Sequence, residues 1–145
     1  MSLKEYLDLI VEPTVLEFEQ QPASVRRAFL ACVVLFHTID YISPKRPQNL
    51  RKRFRGQSTA FATIDRVAHA FKHFESDGLT PLKAKSVYSR PPAMAGVFML
   101  GLSQLGDPTG AVLIAGETDS TLTAYAREAL AFLRKQVQGL GSSSQ

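Results

Sequence analysis

Six side chains that can exchange protons or bind anions lie along two segments of the sequence at helical spacing. They include all three histidines of the chain. Histidine gains and loses a proton near neutral pH, whereas arginine and lysine bind anionic groups. The sequence therefore predicts one polar patch, formed by His37 and Asp40 in the first segment and by Arg66, His69, Lys72 and His73 in the second.

The second segment has the pattern of an amphipathic helix, which would hold its polar residues on one side. At about 100° per residue, Arg66, His69 and His73 fall within about 60° of one another. Asp65 and Lys72 flank this group. The opposite side of the predicted helix is apolar and consists of Phe61, Ile64, Val67, Ala68, Phe71 and Phe74.

Capping signals and apolar periodicity predict an antiparallel packet of about four helices. The second of them is apolar on most sides, as expected of a helix that others surround. Its single cysteine, Cys32, lies in this apolar stretch, which predicts a buried and unreactive thiol. The predicted boundaries are a start at Ser2 with a break or end at Pro13, a second helix from Ser24 to about Ile42, a third from Ser58 or Thr59 to Gly78, and a last helix after Asp119 and Ser120.

The region between the third and last helices changes to short β-prone stretches separated by proline and glycine. Short β-prone stretches separated by turn-forming residues are typical of a small antiparallel sheet. We therefore predict an α+β fold with one globular domain over residues 1–138 and a disordered tail over residues 139–145. The three predicted strands cover residues 84–88, 97–102 and 111–115.

A basic segment over residues 44–56 carries six positive charges and no negative charge, which exceeds the net charge of +4 for the whole chain. Its functional interpretation is contact with phosphates or other anions, with Phe54 stacking on an exposed base. Its structural interpretation is a solvated loop that Leu50 and Phe54 anchor to the core. The candidate contact residues are Lys45, Arg46, Arg51, Lys52, Arg53 and Arg55.

The polar patch also admits a purely structural interpretation, in which Asp40 orients His37 or pairs with Lys72 or His73 between packed helices. Metal binding is the less favoured alternative. His69 and His73 have the spacing of metal ligands, yet positively charged neighbours would surround the ion. We predict neither a metal nor another cofactor.

The order of these motifs resembles a group of small uncharacterised bacterial proteins. The resemblance covers residues 25–135. It depends on a His-x-x-Asp-aromatic motif at His37, Asp40 and Tyr41, on the stretch from Asp65 to Phe74 in the next predicted helix, and on the β segment and closing helix that follow. That group has Ala-Asn-Ala-x-Lys-His-aromatic in the second motif, where this chain has histidine at position 69. The resemblance implies the order of the helices and no activity.

Arg66 and His73, with six residues between them, also resemble the Arg-x(4–6)-His pattern of HEPN ribonucleases. In that usually dimeric, helical family, arginine and histidine cleave RNA without a metal. The resemblance implies that His73 acts as acid or base and that Arg66 holds the phosphate. The basic segment would then follow the RNA backbone. The β-prone region departs from the helical core of the family.

Composition favours a single cytoplasmic domain. The longest apolar run, residues 28–36, is far shorter than the roughly 20 residues that a membrane-spanning helix needs, and we expect no leader peptide. Our leading functional hypothesis is a non-catalytic domain that binds a partner or an anionic ligand, with His37, Asp40, His69 and Lys72 facing the ligand. The alternative is a HEPN-like ribonuclease. The partners that these hypotheses predict are RNA, an acidic protein or a second copy of the chain, and no membrane.

Overall fold

The computed structural model describes residues 1–73, 82–94, 99–101, 103–117 and 120–142, with side chains through residue 139. Six α-helices and two strands occur in these ranges. A π-helical turn, Leu7–Val11, joins the first two helices, and a short 3₁₀ turn precedes the first strand. The elements are α1 (Leu3–Tyr6), α2 (Glu12–Gln20), α3 (Val25–Ile42), α4 (Pro47–Gln57), α5 (Thr59–His73), β1 (Val87–Arg90), β2 (Ala111–Ile114) and α6 (Leu122–Ser142).

The predicted α+β class is confirmed, and α3 is the central helix. It contacts α1, the π-helical turn, α2, α4, α5, α6 and β1. Its N-cap is Ser24, whose hydroxyl accepts a hydrogen bond from the Arg27 backbone. Cys32 lies fully buried in its middle, and burial raises the pKa of the thiol, so it stays protonated. The predictions for the boundaries of α3 and for Cys32 are therefore confirmed.

The chain remains helical through Pro13 and does not end there. Proline lacks an N–H group, so it cannot make the usual helical hydrogen bond. The preceding π-helical turn adapts the backbone, with the Glu12 N–H donating to the Leu7 carbonyl. The Thr14 hydroxyl then donates to the Ile10 carbonyl at 2.6 Å. The proline therefore marks an irregular turn between two helices.

The described part of the sheet has two strands instead of three. β1 and β2 pair antiparallel, with Val87 opposite Ile114 and Arg90 opposite Ala111. The middle predicted strand, residues 97–102, is not seen in its described part. The Ser103 N–H donates there to the Met99 carbonyl, a hydrogen bond typical of a turn. The remaining positions of that prediction lie outside the described residues.

The C-terminal end of α6 differs from the sequence prediction, and the predicted end of the third helix lies outside the described residues. α6 extends to Ser142, so the predicted tail from residue 139 begins inside a helix. Each added helical residue forms one more backbone hydrogen bond, which can extend a helix past its last apolar contact. The predicted apolar position Phe74 and the predicted C-cap Gly78 lie outside the described residues.

The basic segment is a helix, which corrects the prediction of a solvated loop. Pro47 occupies the first turn of α4, where its missing N–H costs nothing. Leu50 and Phe54, four residues apart, are both buried and attach one side of α4 to the core. The Phe54 ring packs edge-on against the rings of Phe61 and Phe132. Phe54 is therefore a core residue. The interpretation that Leu50 and Phe54 anchor the segment to the core is confirmed, and the alternative that Phe54 stacks on a base is wrong.

We expect Phe54→Ala to lower the free energy of unfolding by about 3–5 kcal/mol, because it removes a buried ring and leaves a cavity. Arg53→Ala, one position earlier on the exposed side of α4, is the matched control and should change stability by about 0.5 kcal/mol or less. Urea denaturation followed by circular dichroism measures both. Equal stability of the two variants would show that α4 is not packed against the core.

Candidate anion-binding site

A cavity of about 420 Å³ lies between α3, α4 and α5. Cavities of this size in proteins bind small molecules. Its apolar wall consists of Phe29, Val33, Phe36 and Ala68, and its polar wall consists of His37, Asp40, Gln48, Arg51, His69 and Lys72.

The cavity brings together all four residues that the sequence analysis assigned to ligand binding, namely His37, Asp40, His69 and Lys72. It adds Arg51, which the sequence analysis had assigned to the separate group of anion contacts. The two groups meet because α4 is a helix packed beside α5. Four of the six residues of the predicted polar patch therefore line one pocket between three helices, to which the basic segment contributes one cation, whereas Arg66 and His73 do not line it.

The α3 side of the pocket presents a histidine held by a carboxylate. His37 Nδ1 lies 2.7 Å from Asp40 Oδ2, one helical turn away. Because an ionised carboxylate only accepts hydrogen bonds, Nδ1 is the donor. Within the described residues, no hydrogen bond occupies the second ring nitrogen, Nε2. Both side chains are a little over two-fifths exposed, so water and solutes reach them.

The α5 side presents a second histidine of the same tautomer. His69 Nδ1 lies 2.9 Å from the backbone carbonyl oxygen of Asp65, which can only accept. Nε2 of His69 is therefore its free nitrogen as well. Lys72, one turn further along α5, is exposed and lines the same pocket. No ion pair joins it to any carboxylate in the described part of the chain.

The Phe36 ring organises the polar groups of the pocket. The ring is only 7% exposed. The rings of His37 and His69 meet it edge-on, with centroid distances of 5.0 Å and 4.9 Å. The guanidinium carbon of Arg51 lies 4.3 Å from its centroid, in a cation–π contact. One buried ring on α3 therefore fixes the position of three groups from three helices.

Beneath the pocket, Asp65 is a buried carboxylate, 1% exposed. Arg55 Nε donates to one of its oxygens. The other oxygen, Oδ1, lies 3.6 Å from Arg51 Nε and 3.6 Å from His69 Nδ1. Neither Asp65 Oδ1 nor Arg51 Nε has a hydrogen-bond partner, and they face each other. Asp65 thus attracts Arg51, which lines the pocket. Its contacts with Arg51 and Arg55 also hold α4 against α5.

Asp65 appeared in the sequence analysis only as a residue that flanks the polar side of α5. A signal for its burial was present, because Phe61 and Ala68, four residues before and three residues after Asp65, belong to the buried stripe. An aspartate inside such a stripe needs a buried partner. Arg51 and Arg55, four residues apart on α4, are the partners of this buried carboxylate.

The proposed ribonuclease pair does not line the pocket. Arg66 forms an ion pair with Glu117, which follows β2. His73 is exposed, and its ring lies 6.2 Å from that of His69. Seven positions apart on a helix correspond to about 10 Å along its axis. No hydrogen bond joins Arg66 to His73 in the described structure.

The remaining cations of the basic segment lie on the outside of α4 or just before it. Lys45, Arg46, Lys52 and Arg53 are exposed. Among the described residues, no carboxylate forms an ion pair with any of these four side chains. Arg55, by contrast, contacts Asp65 and is about half-exposed. The segment therefore divides into two arginines that face Asp65 and four cations that face solvent.

We expect Asp65→Asn to lower the free energy of unfolding by about 1–3 kcal/mol, because it removes the charge that two arginines face. Asp40→Asn is the matched control: its partner His37 is partly exposed, so the loss should stay below about 1 kcal/mol. Thermal or urea denaturation at neutral pH compares the two. A smaller loss at position 65 than at position 40 would contradict the assigned role of Asp65.

Among the described side chains, no group of three or more His, Cys, Asp or Glu residues is arranged to hold a metal ion. No helix in the described ranges is long and apolar enough to cross a membrane. No protein-family model, curated protein or solved structure matches this chain. The chemistry of the pocket therefore has to be inferred from its own residues.

Proposed function

We propose that this protein binds a small anionic ligand, with a flat or apolar part, in the pocket between α3, α4 and α5. The observation that carries the proposal is the convergence of Arg51, Lys72, His37 and His69 on one cavity. These side chains donate hydrogen bonds to phosphate and carboxylate oxygens; each histidine must be protonated for Nε2 to donate. Binding an anion in this way requires no catalytic residue, metal or cofactor.

The charges around the pocket favour an anion. Asp40 already accepts a hydrogen bond from His37, and Asp65 is paired with Arg55. Arg51 lies 3.6 Å from the second oxygen of Asp65 and shares that one negative charge with Arg55, and Lys72 forms no ion pair within the described residues. Three cations (Arg51, Arg55 and Lys72) are therefore balanced by only two carboxylates. Because both the guanidinium and the ammonium carry several N–H donors, an anion with two or three oxygens matches them.

The apolar wall favours a ring on the ligand. Phe29 is 38% exposed and lines the pocket, an unusual position for a large aromatic side chain on the central helix. The Phe71 ring supports it edge-on at 5.3 Å. A flat group can pack on Phe29 while its anionic substituent reaches Arg51 and Lys72. Phenyl phosphate combines both features and serves as the probe.

We expect phenyl phosphate to shift the imidazole NMR signals of His37 and His69 saturably and that of His73 much less, since His73 lies outside the pocket. Each signal is assigned by its loss in the corresponding His→Gln variant. Phenol, which lacks the anion, should produce no saturable shift. Equal shifts of all three histidines, or shifts that do not saturate, would contradict binding in this pocket.

We expect Lys72→Gln to weaken binding of phenyl phosphate about tenfold, because a hydrogen bond to a charged group contributes roughly 1.5–3 kcal/mol. Lys52→Gln removes the same charge from an exposed position outside the pocket and should change the Kd less than twofold. Isothermal titration calorimetry at fixed ionic strength measures both. A loss of the same size in the two variants would indicate diffuse attraction to a basic surface.

The ribonuclease hypothesis for Arg66 and His73 stays a prediction, and the ion pair of Arg66 with Glu117 disfavours it. We expect no cleavage of mixed-sequence single-stranded RNA in EDTA by the intact protein. His73→Ala is a suitable control because His73 is exposed and its removal should leave thermal stability nearly unchanged. Cleavage by the intact protein that disappears in this variant would establish the ribonuclease and overturn our expectation.

A further inference from the structure

A second cavity lies beside α4, on the side away from the pocket. Its volume is about 440 Å³. The lining combines two arginines with two uncharged polar side chains and two aliphatic ones. They are Arg46, Arg53, Ser43, Asn49, Ile42 and Leu50. We call it the α4 groove.

Helical geometry explains why α4 serves both cavities. Leu50 and Phe54 face the core. At about 100° per residue, Arg51 lies to one side of this stripe and Arg53 to the other, with Lys52 between them on the outer side. A helix with its side chains is about 10–12 Å wide. The pocket and the α4 groove are therefore separated by the width of one helix, and Lys52 lies on the path between them.

The cations on this path are available to a ligand. Arg46, Lys52 and Arg53 are exposed, and no described carboxylate forms an ion pair with them. Arginine presents a planar set of donors that matches phosphate oxygens. The α4 groove adds the hydroxyl of Ser43 and the amide of Asn49 as further hydrogen-bonding groups. This face can therefore bind an anion, and it lies next to the site already proposed.

We propose that the α4 groove is a second anion-binding subsite for the ligand of the pocket, and that this ligand is a short single-stranded nucleic acid. One phosphate binds Arg51 and Lys72 in the pocket, the backbone crosses α4 beside Lys52, and a later phosphate binds Arg46 and Arg53. This proposal rests on the proposed function, because it extends the same site.

Two features favour a nucleic acid strand over other polyanions. Its phosphates repeat along a flexible backbone, which can bend around a helix, whereas a duplex is too stiff to do so over this distance. Its bases supply the flat group that Phe29 can accept, since aromatic side chains stack on bases of any sequence. An acidic peptide without rings would use the cations and leave Phe29 uncovered.

The length of the strand provides the test. The probes are 5′-phosphorylated deoxythymidylates of one to six nucleotides, with the uridylate series as the RNA counterpart. We expect the affinity to rise at least tenfold once the strand is long enough to cross α4, because the second contact is then intramolecular. The salt dependence should steepen at the same length, by about 0.7 in the slope of log K against log salt for each added phosphate contact.

A double variant, Arg46→Gln with Arg53→Gln, removes the subsite without touching the pocket. It should abolish the rise with length and leave the affinity for the single nucleotide unchanged within twofold. The matched control is Lys85→Gln with Lys135→Gln, which removes two exposed cations outside both cavities. This control should retain the rise with length.

The outcomes separate the two proposals. Binding of phenyl phosphate in the pocket with no rise along the oligonucleotide series would overturn the second subsite and leave the proposed function standing. A rise that survives in the Arg46 and Arg53 variant would also overturn it. Hexaglutamate that binds as tightly as the hexanucleotide would overturn the assignment to nucleic acid.

Discussion

The buried carboxylate of Asp65 is the interaction on which the candidate site depends. A charge in an apolar interior is costly unless cations and hydrogen bonds surround it. Arg55 pairs with one oxygen, and Arg51 and His69 face the other. The same carboxylate thereby holds α4 against α5 and brings a guanidinium into the pocket beside His69. If the pocket binds the anion that we propose, stability and ligand recognition are coupled through this one side chain.

The cavity follows from how the three helices share their surfaces. α3 contributes its apolar stripe to the core and, at the edge of that stripe, the Phe36 ring. Polar groups from α4 and α5 meet this ring from two sides. In His37 and His69, Nδ1 is occupied by an acceptor, so Nε2 is the nitrogen that each ring can present to the ligand that we propose. The arrangement is ordered before any ligand arrives, which lowers the entropic cost of binding.

Local patterns in the sequence predicted the helices and part of the site, and long-range contacts explain the rest. The cap at Ser24 and the apolar run of α3 are local, so they could be recognised. The helix in the basic segment was not predicted, because most of its residues are charged or polar. Only two apolar residues, Leu50 and Phe54, have the four-residue spacing that indicates a helix packed on the core. Arg51 was expected to contact an external anion, and its attraction to Asp65 depends on tertiary packing that spacing alone does not show. In the described part of the middle predicted strand, a hydrogen bond from the Ser103 N–H to the Met99 carbonyl likewise indicates a turn where β-propensity had favoured a strand.

The most direct measurement of the central claim is the affinity of Asp65→Asn for phenyl phosphate. Charge alone predicts tighter binding, because the substitution removes a negative charge close to the pocket. The positioning of Arg51 and His69 by Asp65 predicts the opposite. We expect the Kd to rise about tenfold in a variant shown to be folded at the assay temperature. Unchanged or tighter binding would show that Asp65 does not organise the site.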